Sequence, residues 1–195
     1  MRASAQSTRG FEETRLPLET FYSRPGQLIR RLNQIAQGLF QEEAGQVGLT
    51  SVQYAALAMV REVPGIDQVR LSSLIAFDKT TIVKVLDRLV DKGLLTRTRS
   101  PEDRRSNLLH VTDNGLKLLK QIEPLLDRSD KRIVAPLSPD EQRQFMSLLT
   151  RLVQINNAYS RAPMDQALRE DLLARRAKPA PKASAKPAAA RGKRS

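Results

Sequence analysis

The chain has no cysteine and no tryptophan, a single histidine, and aromatic residues at only 4% of its 195 positions. Without cysteine there are no disulfides, no thiolate catalysis, no thiol redox sensing and no cysteine-based zinc site. His110 alone cannot form a histidine cluster for a metal. No apolar run approaches the ~18 residues that a membrane-spanning helix needs. The N-terminus also lacks the apolar centre of a signal peptide. A cytoplasmic protein without a membrane partner is expected. There is no glycine-rich phosphate loop and no pair of acids at a defined spacing. Nothing points to an enzyme, and neither cofactor nor metal is expected.

Hydrophobic residues make up 40% of the chain, so the core must be built mostly from Leu, Ile, Val and Ala. The formal net charge is +12 with a pI near 10.6, which favours a polyanionic partner. Residues 174–195 hold eight Lys or Arg and no acid, leaving about +4 on the rest. This Ala-, Pro- and Lys-rich segment has no apolar periodicity and is expected to be a disordered basic tail. It is either a solubilising tail or a source of sequence-independent attraction to phosphate. Residues 1–15 read as a flexible arm.

From Pro25 the positions Leu28, Leu32, Ile35 and Leu39 recur at helical spacing, with Leu16, Leu18 and Phe21 extending the face upstream. Thr50 with Gln53 is a capping-box pattern, and the helix it opens ends at Pro64-Gly65. "IDQVRLSSLI" predicts a short helix. Asp78 is a good cap for the next one, whose Ile82, Val85, Leu86 and Leu89 form one stripe that ends at Gly93. "LLTRTR" and "NLLHV" predict two strands joined by a hydrophilic turn. Thr112 opens a further helix in which Pro124 should impose a kink or a break. Ser138-Pro139-Asp140-Glu141 is a strong start for the last one, with Leu168 and Leu172 as possible extensions beyond Pro163.

Helix, short helix, helix and hairpin is the order of a winged helix-turn-helix. The chain is therefore expected to be mainly α with a small β-hairpin, the winged unit being flanked by N- and C-terminal dimerisation helices. The division is 16–48 and 112–173 for the helical region, and 49–111 for the winged unit.

"LTSVQYAAL", "LDRLVDKGLLTR", Asp103-x-Arg105 with Arg104 between, and "VTDNG" together resemble the MarR family of winged-helix transcriptional regulators over roughly residues 28–160. The resemblance implies a homodimer that binds a palindromic operator in double-stranded DNA, most often as a repressor, and is released by a small aromatic, anionic effector. "RPGQLIRRLNQIAQGLFQEE" is also similar to the branch that controls catabolism of nicotinate-type acids, which suggests a hydroxynicotinate-like effector.

Opposite the apolar stripe of the 79–92 helix stand Thr80, Thr81, Lys84 and Arg88, by pattern alone either a polar solvent face or one that meets a major groove. The resemblance makes them DNA contacts, with Thr81 and Lys84 leading and Arg88 on phosphate or on an internal carboxylate. In the wing, the resemblance places Arg104 at the minor groove, where negative potential concentrates. Arg105 touches DNA or, with Asp103, braces the wing through ion pairs, and Arg97 and Arg99 reach phosphate or the effector cavity. For an anionic aromatic ligand, Tyr22, Arg30, Arg31, Tyr54, Met59 and His110 have suitable chemistry. The plainer reading makes Tyr54 and Met59 core, and Arg30 and Arg31 solvated. A competing function is that of a sequence-independent architectural DNA-binding protein, suggested by the basic tail.

Overall fold

The computed structural model describes residues 17–103 and 106–177. A short helix α1 (Leu18–Tyr22) leads into α2 (Pro25–Ala44) and a 3-10 turn at Gly45–Val47. Then come α3 (Ser51–Glu62), β1 (Ile66–Asp67), α4 (Gln68–Leu74) and α5 (Lys79–Asp91). Strands β2 (Leu95–Arg99) and β3 (Asn107–Val111) follow, and then α6 (Asp113–Val134) and α7 (Pro139–Ile155). A 3-10 turn at Asn157–Tyr159 and α8 (Gln166–Ala177) complete the order.

Local chemistry starts these helices. The Thr50 hydroxyl accepts from Gln53 N while the Gln53 amide oxygen accepts from Thr50 N, closing the predicted capping box. Ser138 and Glu141 close the second one at α7. Asp67 accepts from Val69 N and Arg70 N at α4.

The core lies inside the winged unit. Leu57 and Val60 of α3, Leu71 of α4, Ile82, Leu86 and Leu89 of α5, and Leu95 and Leu109 of the strands are fully or almost fully buried. Each such leucine stabilises the fold by about 1.5–3 kcal/mol through lost apolar exposure. Leu119 and Ile122 carry this core into α6. Along the rest of its length α6 packs on α2. Arg128 and Arg132 of α6 grip Glu43 of α2 at 3.1 and 2.8 Å, holding the Glu43 carboxyl below its usual range, Arg132 being the larger cause.

Three expectations need revision. The sheet has three antiparallel strands in the order β1-β3-β2, because Ile66 pairs with Leu109 and Asp67 with Leu108. The segment predicted as one short helix therefore begins as a strand. Pro124 does not split α6, which runs through it unbroken. Pro124 is exposed, so the carbonyl left without a helical partner by the missing N–H can take its bond from solvent. Leu168 and Leu172 belong to a separate helix α8, packed partly buried on the core, and α8 reaches four residues into the segment expected to be tail.

Candidate nucleic-acid interface

Helix α5 divides its faces sharply. Ile82, Val85, Leu86 and Leu89 are buried, while Thr80, Lys84, Asp87 and Arg88 are exposed and Thr81 is half-exposed. Thr80, Thr81, Lys84 and Arg88 line, with Val85, an open cleft of about 200 Å³ on this outer face. The four residues expected on α5 are thus brought together. Neither Lys84 nor Arg88 has an ion pair among the described residues.

The N-terminus of α5 is fixed by Asp78, whose carboxylate accepts from Thr81 N at 2.8 Å and from the Thr81 hydroxyl at 2.6 Å. These bonds, the hydroxyl's first, hold the Asp78 carboxyl below its ordinary range. The Thr81 proton is therefore committed to the cap. Its methyl group and a lone pair remain for any partner, whereas Thr80 and Lys84 keep their full donor capacity.

The wing is built from its base outward. Arg97 on β2 pairs with Asp87 on α5 at 2.7 Å, so its charge is neutralised and it ties the hairpin to the helix. Arg99, at the far end of β2, is exposed. Ser100 is buried and its hydroxyl accepts from Glu102 N and Asp103 N, while Ser100 N donates to the Ser106 carbonyl at 3.0 Å. The Ser106 amide in turn donates to the Asp103 carbonyl. Arg104 and Arg105, expected at the tip, lie outside the described residues.

The hairpin joins α6 through the "VTDNG" run. The Thr112 hydroxyl donates to the Gly93 carbonyl at 2.7 Å and accepts from Gly115 N, and Thr112 N donates to the Leu94 carbonyl. This knot sets the wing, the end of α5 and the start of α6 as one unit.

The expected ligand residues do not gather around one cavity. Tyr22 is exposed and stacks edge-on with Phe21. Arg30 is exposed and bonds Gln27, and Arg31 is exposed on the same helix. Tyr54 is half-buried; burial first, then Glu123, push its phenol above the ordinary range. His110 is half-buried on β3 opposite Thr96. Of the six only Met59 lines the larger cavity, between α3, α4 and α8. Arg169 on α8 shares that cavity and was missed. A mixed-charge helix beyond a proline gives no local signal of where it docks.

A family model described as "MarR family" matches residues 49–106. The PcaV transcriptional regulator of Streptomyces coelicolor, solved with its natural ligand, is 34% identical with a TM-score of 0.66, over 72% of this chain and 97% of that one. BpsR of Bordetella bronchiseptica, whose DNA binding is regulated by 6-hydroxynicotinic acid, is 27% identical with a TM-score of 0.65, over 68% and 94%. The transcriptional repressor CouR, bound to a 23-mer DNA duplex, is 28% identical with a TM-score of 0.66, over 72% and 99%.

Proposed function

The chain belongs to the MarR family of winged-helix, DNA-binding transcriptional regulators, and from that premise we propose that it is a homodimeric repressor of a palindromic operator, released by a small aromatic acid. The observation that carries the reading is the outer face of α5, where Thr80, Lys84 and Arg88 surround an open cleft, neither cation in an ion pair among the described residues, while the inner face is locked in the core. A helix so held presents donors and positive charge to a major groove without having to rearrange. Arg97 is assigned to bracing, Arg99 to a flanking phosphate, and Arg104 to the minor groove.

Dimerisation is supported by apolar faces that no described residue of one protomer covers. Leu28, Ile29 and Ile35 on α2 are about half exposed, as are Met146, Leu148, Leu152, Val153 and Ile155 on α7. Helix α7 is doubly capped, seventeen residues long and has no buried residue, which suits a surface that a second copy completes. The effector class rests on the relative whose DNA binding responds to 6-hydroxynicotinic acid.

The test is a salt titration of operator binding with wild type and Lys84→Ala. Each lysine that neutralises one phosphate contributes a slope of about 0.9, so two copies in a dimer contribute about 1.8. Between about 50 and 200 mM salt the variant should then lose roughly tenfold less affinity than wild type does. Identical slopes would take Lys84 out of the interface.

A further inference from the structure

Between the winged unit and α8 lies a cavity of about 630 Å³, well within the range of small-molecule sites. Its walls are apolar: Met59 at the end of α3, Leu74 at the end of α4, Met164 before α8, and Leu172 on α8. The two polar side chains are Glu62 and Arg169. None of the ion pairs among the described residues includes Arg169, whereas Glu62 pairs with Arg61.

The wall on the α8 side is set firmly in place. The Asn157 side chain clasps Met164, its Nδ2 donating to the Met164 carbonyl and its Oδ1 accepting from Met164 N, both at 2.9 Å. Next along the chain, Asp165 N donates to the Ser73 carbonyl on α4 at 3.3 Å. The Asp165 carboxylate accepts from Leu168 N at 2.9 Å, which starts α8. A wall held by its own hydrogen bonds exists before a ligand arrives, which lowers the entropy cost of binding.

We propose that this cavity binds a monocarboxylic acid with an apolar body, its carboxylate on the Arg169 guanidinium. A guanidinium outside every ion pair of the described residues forms charge-assisted bonds to a ligand carboxylate. Thioethers on two different segments, Met59 on α3 and Met164 in the loop before α8, adapt to a flat ring or to an alkyl chain. Arg169 is the one cation among the described lining residues, so a second ligand carboxylate would find no partner there and a diacid fits poorly. The coupling to DNA rests on the reading of α5 given above. Leu74, a wall of the cavity, is the last residue of α4, and Asp78, the cap of α5, follows four residues later through a turn in which Ala76 is held at φ 54°.

The chain has four methionines, Met1, Met59, Met146 and Met164, and the full-length protein with ¹³C-labelled methionine methyls reads the site directly. Benzoate and octanoate serve as the ring and chain probes. At least one should shift the Met59 and Met164 methyl signals saturably and leave Met146, which lies on α7 outside the cavity lining, in place. Arg169→Gln should raise the Kd for that probe at least tenfold, with the unshifted Met146 signal reporting an intact fold. Absence of saturable shifts at both cavity methionines with either probe, or an unchanged Kd in Arg169→Gln, would overturn the site. Operator affinity should fall at least tenfold in saturating probe, and an unchanged affinity would overturn the coupling. Methyl shifts in a protein that binds no operator leave the cavity standing and remove the regulator reading, so the two failures are distinct.

Discussion

Gly115→Ala and Gly38→Ala are the same substitution at helical glycines, and the structure gives them opposite signs. A Cβ on Gly115 would lie 2.4 Å from the Leu94 carbonyl oxygen and 2.7 Å from Val111 Cγ1. The nearer of these is backbone, fixed by its bond from Thr112 N, so it cannot rotate away. Alanine gains about 1 kcal/mol of helix propensity over glycine, but forcing α6 off the wing base costs about 1–3 kcal/mol of overpacking. Displacement also strains the Thr112 bonds to Gly93 and Leu94, each worth about 1 kcal/mol net. With about half of that bond energy lost, the sum is a net loss of about 1–3 kcal/mol. At about 2–4 °C per kcal/mol for a chain of this size, thermal unfolding should come several degrees lower. A Cβ on Gly38, in the middle of α2, meets nothing within 4 Å, so Gly38→Ala should stabilise by about 0.5–1 kcal/mol. Urea titrations of all three proteins at one protein concentration measure both signs, the concentration being held fixed because a dimer's stability depends on it. A Gly115→Ala protein as stable as wild type would refute the close approach of α6 to Leu94 on which the rigid wing base depends.

The Arg97–Asp87 pair is partly exposed and should contribute only about 0.2–1 kcal/mol in a double-mutant cycle for stability. Arg97→Ala should leave the salt slope of operator binding unchanged, in contrast to Lys84→Ala, and a slope reduced by a full phosphate would return Arg97 to the interface. Arg104→Ala should weaken operator binding and lower the slope by about 0.9 per protomer; an unchanged slope over the same titration would take Arg104 out of the groove. The Glu43 and Asp78 carboxyls are both held below their ordinary values of 4.5 and 3.8. Their contributions are complete above those values and fade as pH falls through the lower folded ones. Glu43→Gln should therefore flatten the acid limb of a stability–pH curve below about pH 4.5, and an identical limb would detach Glu43 from Arg128 and Arg132. Removing residues 178–195 should weaken binding to operator and random DNA alike, and a selective loss of operator binding would favour the tail over the winged unit as the specific element.

What could be read in the sequence is what a few neighbouring residues decide. Thr50 with Gln53, Asp78, Thr112, and Ser138 with Glu141 each announce a helix because a cap and its partner lie within three positions. The α5 stripe was legible for the same reason: burial of Ile82, Val85, Leu86 and Leu89 follows from a period of 3.6, and the opposite face follows by subtraction. What stayed hidden depends on distance along the chain. The two-residue strand Ile66–Asp67 exists only because β3, some forty residues later, pairs with it. The Asp87–Arg97 bridge and the seating of α8 beside Ser73 are likewise contacts between segments with no shared pattern. This bears on how a run of like charges is read. Arg97 and Arg99 look equivalent in "RTRSPEDRRSN", two positions apart on one strand. Yet one is neutralised by Asp87 and the other projects at the strand's end. The number of arginines in a wing is thus an upper bound on its phosphate contacts. The salt slope of each single variant, rather than the net charge, measures how many of them reach DNA.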